Sequence, residues 1–135
     1  MAETERLEAT RAWFAKGEGD LRSARILLDA EPPETDAAVF HCQQAAEKHI
    51  KGFLAFCGYD PPRIHDLGTL LSLAARFDAH LADLACSADA LTPFAVHVRY
   101  PFAVGSPDAT MAARAFHHAE IICTAIRQIV MGPSL

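Results

Sequence analysis

The chain predicts an all-α fold, an up-and-down bundle of four to five helices. Three observations carry that expectation. Apolar residues recur at helical spacing through most of the 135 residues. Proline pairs and Gly-Pro steps fall between those stretches, where helices must stop. The one alternating run, Phe94, Val96 and Val98, is a single segment, and an isolated strand is unstable. The length suits one core, so residues 1–135 read as a single domain. Hydrophobic residues make up 51% of the chain, enough to fill that core.

The first helix is expected over residues 4–30. Leu7, Trp13, Phe14, Leu21, Ala24 and Leu28 share one stripe, and Gly17 falls on it. A glycine there predicts either a close helix approach or a kink. Arg11, Lys16, Glu18, Arg22 and Arg25 form the opposite, solvated face. Glu31-Pro32-Pro33 ends the helix.

The second helix is expected over 35–57, capped by Thr35 or Asp36. Val39, Cys42, Ala46, Ile50, Phe53 and Cys57 face the core. Gln43 lies within that apolar face, and a buried amide needs partners, so it should tie this helix to a neighbour. Glu47 and Lys51 have the spacing of an i,i+4 ion pair. Lys48 and Lys51 lie on the other side with His41, as solvated surface or as a binding patch. Gly58 is the natural residue to end the helix.

A rigid Tyr59-Asp60-Pro61-Pro62 turn leads to a third helix, roughly 66–78. His65 or Asp66 is its cap; the alternative for these two residues is a phosphate or RNA contact at a helix start. Residues 79–91 predict a short fourth helix, broken by Thr92-Pro93. Residues 94–102 read as a short helix or an extended connection. Ser106 as cap, Pro107 at the first position and Asp108 in the first turn open the last helix, 107–131. Its core stripe is Ala112, Ala115, Phe116, Ala119, Ile122, Cys123, Ile126 and Val130, and Gly132-Pro133 ends it.

The net charge of −5 gives no global attraction for nucleic acid, so any RNA contact must come from a local basic patch. No apolar run approaches the ~18 residues of a membrane span, and the first residues carry no signal-peptide core. A cytoplasmic protein without membrane contact is expected. Cys42, Cys57, Cys86 and Cys123 are scattered without a C-x-x-C pair and read as buried free thiols. The seven histidines include no H-E-x-x-H, and His117 and His118 point about 100° apart on a helix, so no metal is expected. No nucleophile motif, phosphate loop or dinucleotide fingerprint is present, and no cofactor is expected.

One order of signals runs through the chain. It comprises Trp13, Asp20-Leu21, Ala24 and Leu27-Leu28; then Ala38, Phe40-His41, Gln43-Gln44-Ala45-Ala46-Glu47-Lys48 and Lys51; then Gly58, Pro62 and His65-Asp66-Leu67; then Arg99-Tyr100-Pro101 and a closing helix. This resembles the prokaryotic HEPN domain family over nearly the whole chain. The resemblance implies a bundle of four or five helices, commonly homodimeric. It also implies a minimal nucleotidyltransferase as partner, in a toxin–antitoxin-like pair. Some family members are metal-independent ribonucleases, with four to six residues standing between an arginine and a histidine, and the two groups meeting across a dimer. Here two residues stand between Arg114 and His117, three between Arg114 and His118 and three between Arg76 and His80, and Arg99 has no histidine in the window. The standard motif is missing, which turns the expectation away from an enzyme.

The resemblance therefore implies a binding module for nucleotide, RNA or the nucleotidyltransferase, using Lys48, Lys51, His65, Arg99 and Tyr100. Its competitor is a ribonuclease combining Arg99 or Arg114 with His65, His117 or His118. For Arg99 the plain structural alternative is a turn residue paired with a carboxylate such as Glu47. A bare dimerisation scaffold, with a seam near Ile121 and Phe40, is the third expectation.

Overall fold

The structure is a computed structural model and describes residues 2–95 and 106–132. Among the described residues five α-helices make the bundle: α1 (Glu3–Asp29), α2 (Thr35–Phe56), α3 (Leu67–Ala75), α4 (Ala85–Leu91) and α5 (Ala109–Met131). The expected all-helical bundle is the architecture observed, with no strand among the described residues. None of these helices is long and apolar enough to cross a membrane.

The second helix is the centre. Fourteen of the 22 residues of α2 are buried, too many for a single apolar stripe, so polar side chains are drawn inside with the apolar ones. Ile50 and Leu54 of α2 pack with Leu67, Leu70, Leu81, Leu91, Ile122 and Ile126 from the other elements. All eight are at most 1% exposed. Burying each such side chain contributes roughly 1.5–3 kcal/mol.

The first two helices run antiparallel. Gly17 faces Ala45 and His49, Phe14 faces Gly52, and Arg6 lies against Gly58. The glycine on the apolar stripe thus marks a close approach, and α1 is continuous through it. The last helix runs antiparallel to α1. Arg127 pairs with Glu18, and the Arg25 guanidinium lies 4.8 Å from the centre of the Phe116 ring.

Several helix ends differ from the expected ones. The residue capping α2 is Glu34, whose side chain makes no capping bond. Asp36 instead accepts a hydrogen bond from the Ser106 hydroxyl at 2.6 Å. With Ser106 so engaged, α5 is capped by Asp108, which accepts from the Met111 N–H at 2.8 Å. At the end of α2, Gly58 takes φ 78°, and the Tyr59 N–H reaches the Leu54 carbonyl at 2.9 Å. The expected fourth helix is two pieces, a 3₁₀ segment (Ala79–Leu84) and then α4. Asp78 starts the tighter winding: its side chain accepts from the His80 N–H at 3.0 Å and its carbonyl from the Leu81 N–H at 3.1 Å. Thr92–Phe94 is a further short 3₁₀ turn.

All four cysteines are free, and Cys42 and Cys123 are buried. Burial pushes the Cys42 thiol up to about 12 and Cys123 well above the ordinary thiol range, so neither presents a thiolate. Two depart from the expected burial: Cys57 is half-buried, and Cys86, on the outer face of α4, is exposed.

His49 is fully buried. Its Nδ1–H donates to the Ala45 carbonyl at 2.8 Å, and its ring stacks on Phe14 at 5.0 Å. Nε2 lies 3.2 Å from Glu18, but Arg127 already neutralises that carboxylate. Burial therefore governs, and it lowers the imidazole below its ordinary 6.5. The unfolded chain binds this proton more readily than the folded one. His49 thus contributes stability that is present above pH 6.5 and lost as pH falls below it. The urea midpoint of the wild type is expected to drop between pH 7.5 and 5.5 by more than that of His49→Gln, which has no such proton to take up. An equal drop in both would refute this.

Candidate functional site

Among the described residues, the most connected polar group is the carboxylate of Glu47, near the middle of α2. Its side chain is 5% exposed. The Lys51 ammonium, one helical turn on, donates to Oε2 at 3.1 Å. The His65 ring, from the turn before α3, places Nδ1 at 3.2 and 3.0 Å from the two oxygens. The Gln43 amide donates both to Glu47 Oε1 and to the His65 backbone carbonyl, each at 3.2 Å. Gln44 then donates to the Gln43 carbonyl oxygen at 2.7 Å. Gln43 thus ties α2 to the chain ahead of α3, as its place in an apolar face predicts.

The three groups on Glu47 differ in exposure. The Lys51 side chain is 7% exposed, whereas that of His65 is 70% exposed. The Lys51 ammonium also sits 5.7 Å from the centre of the Trp13 ring, a cation–π contact from α1. Removing an ion pair from water costs several kcal/mol per ion unless further hydrogen bonds meet the remaining oxygens. Here Gln43 and His65 meet them.

Helical spacing alone groups Lys48 with Lys51 on an outward face. The structure separates them, because α1 covers that side of α2. The Lys48 side chain is 23% exposed and its ammonium lies 2.5 Å from Asp20 Oδ2. His41 Nδ1 approaches the other oxygen of Asp20 at 2.7 Å. In the sequence Asp20 stands out only as part of the family pattern, yet it is 7% exposed. Its signal was positional: on a helix it lies about 40° from Ala24, on the core stripe. Trp13 falls on the apolar stripe of α1, and its ring also faces Lys51.

Arg99 and Tyr100 lie outside the described residues, as does the proposed pairing of Arg99. His118 Nδ1 is 3.0 Å from the Ser87 hydroxyl, and neighbouring His117 is exposed, as is Arg114.

Of the two candidates for the cap of α3, Asp66 is the one. Its carboxylate accepts from the Thr69 N–H at 2.9 Å and the Thr69 hydroxyl at 2.6 Å. These bonds, the hydroxyl's first, hold the Asp66 carboxyl below its ordinary value. The helix start is thus filled by the chain's own anion. A groove of about 430 Å³ beside it, between α3 and α4, is lined by Asp66, Asp89 and small residues such as Ala75, Ala82 and Ala85, with no basic side chain. Neither feature suits a phosphate. No group of three histidine, cysteine or acidic side chains arranged to hold a metal occurs among the described residues.

The family model described as HEPN domain matches residues 10–129 of the chain. Comparison with curated proteins and comparison with solved structures each gave no match.

Proposed function

The chain belongs to the HEPN domain family, and from that premise we propose a homodimeric binding protein that acts with a minimal nucleotidyltransferase and takes nucleotide or RNA. In this reading the two proteins form a toxin–antitoxin-like pair in the cytoplasm. The observation that carries it is the convergence of Lys51 and His65 on the buried carboxylate of Glu47. That arrangement leaves one rigidly held, solvent-facing imidazole beside a bonded cation and an aromatic ring. Lys48, Arg99 and Tyr100 complete the proposed binding set. Lys48 would contribute by fixing α1 against α2.

Dimerisation is supported by the outer face of α5, where Met111, Ile121 and Ile129 are 50%, 37% and 39% exposed. Water-facing apolar residues on one helix suit burial against a second copy. Ile121→Glu is expected to yield a helical monomer, while the wild type runs as a dimer in size-exclusion chromatography with light scattering. A dimeric variant would remove Ile121 from the seam. The partnership itself is tested by co-expression with the minimal nucleotidyltransferase and isolation of the complex through a tag on either chain. Failure to co-isolate from either side would refute it.

The carboxylate-held imidazole also keeps a second reading alive, a metal-independent ribonuclease with a non-standard Arg/His pair. Purified wild type, His65→Ala and Arg114→Ala incubated with RNA in EDTA decide this. Cleavage by the wild type that either substitution abolishes would replace the binding reading with the enzymatic one. No cleavage, or equal cleavage in all three, is what the binding reading expects.

A further inference from the structure

A carboxylate accepts hydrogen bonds and does not donate them. Because both oxygens of Glu47 face His65 Nδ1, at 3.2 and 3.0 Å, the neutral ring must carry its proton on Nδ1. The other nitrogen, Nε2, is then a lone-pair acceptor. Three features hold it so. Gln43 grips the His65 backbone carbonyl and the Glu47 carboxylate with one amide. Lys51 supplies the countercharge of Glu47 from within the core. Asp66, the next residue, is locked into the cap of α3 by two bonds to Thr69.

The chemistry of Nε2 then selects its ligand. Phosphate oxygens at neutral pH chiefly accept, so a neutral Nε2 acceptor offers them nothing. A hydroxyl donates, and the 2′-hydroxyl is the group that separates ribonucleotides from deoxyribonucleotides. We propose that His65 Nε2 accepts a hydrogen bond from the ribose 2′-hydroxyl of a bound nucleotide or RNA, with Glu47 as the positioning residue that fixes the tautomer. This rests on the reading that the site takes nucleotide or RNA. It adds that His65 sets a preference for ribose and is not a phosphate contact.

Trp13 is the only tryptophan, and it touches Lys51. Its fluorescence is therefore a local reporter, with calorimetry as the check. The wild type, His65→Ala and Glu47→Gln are titrated at pH 8 with ATP, 2′-deoxy-ATP, and short oligoadenylates of ribose and deoxyribose. One hydrogen bond predicts about fivefold tighter binding of the ribose form. In His65→Ala the ratio falls to about one. In Glu47→Gln the amide N–H₂ can donate to Nδ1 and move the ring proton to Nε2, which also removes the ribose preference. Long-range proton–nitrogen NMR of the wild type reads the tautomer directly, without any variant. It should show His65 protonated on Nδ1.

Ribose and deoxyribose ligands bound equally by the wild type would overturn the proposal and leave nucleotide binding intact. So would an Nε2-protonated ring. No binding of any of the four ligands would overturn the nucleotide-binding reading, and the proposal with it.

Discussion

Replacing Glu47 by alanine is expected to destabilise the fold by about 3–5 kcal/mol, the usual cost of leaving one member of a buried ion pair behind. The Lys51 ammonium would lose the carboxylate it pairs with while its side chain stays 7% exposed. Gln43 and His65 would lose their acceptor in the same step. Glu47→Ala combined with Lys51→Met should recover most of the loss, because no charge is then stranded. By contrast the Arg25–Asp29 pair, whose side chains are 51% and 67% exposed, should matter little, so Asp29→Ala serves as control. Urea denaturation of the four proteins measures this. A Glu47→Ala loss no larger than that of Asp29→Ala would show that the carboxylate is not charged and bonded in the folded state.

Gly17→Ala is expected to cost about 1–3 kcal/mol, although alanine gains roughly 1 kcal/mol over glycine in helix propensity. A Cβ at Gly17 would lie 2.5 Å from His49 Nδ1, 2.6 Å from Cε1 and 3.2 Å from the Ala45 carbonyl oxygen. The ring has nowhere to go. It is bonded to Ala45 and stacked on Phe14. Gly19 is the matched comparison, since its Cβ would meet only the flexible end of Arg22, at 3.8 Å. Gly19→Ala should therefore stabilise the same helix by about 0.5–1 kcal/mol. Thermal unfolding of both variants decides it, and a stabilised Gly17→Ala would mean that α1 and α2 are less tightly opposed than the structure places them.

These two sites show what could be read in advance. Apolar spacing located the long helices to within a residue or two, because a half-buried helix must repeat its apolar side chains every turn. Proline and Gly58 located the ends of α1 and α2, because those residues restrict the backbone locally. Gly17 was legible as an oddity on an apolar stripe, but its partner, His49, depends on how α1 meets α2. Lys48 and Lys51 could not be separated from solvated surface, because nothing local says that a second helix covers that face. Asp20 shows the same limit: a carboxylate in a helix reads as exposed until Lys48 and His41 arrive from another element. Caps were only partly legible. Ser106 has the right chemistry to open α5, yet Asp36 claims its hydroxyl across a long sequence separation. At the Glu47 cluster, Glu47–Lys51 followed from spacing alone. The convergence of His65 on the same carboxylate required the turn of residues 57–66.

The antiparallel packing of α1 on α2 also has a kinetic consequence. Only the short turn of residues 30–34 separates the two helices, so their mutual contacts close a small loop with little entropic cost. The last helix reaches the same surface only after residues 57–108 have been gathered. Assembly is thus ordered by topology: the hairpin of α1 and α2 is the early scaffold, and α5 completes the bundle late. The carboxylate network straddles that order. Lys51 meets both Glu47 and Trp13 within the hairpin, and His65 joins Glu47 only when the chain beyond Gly58 folds back. The imidazole is thus aligned at a later stage than the charges that hold it.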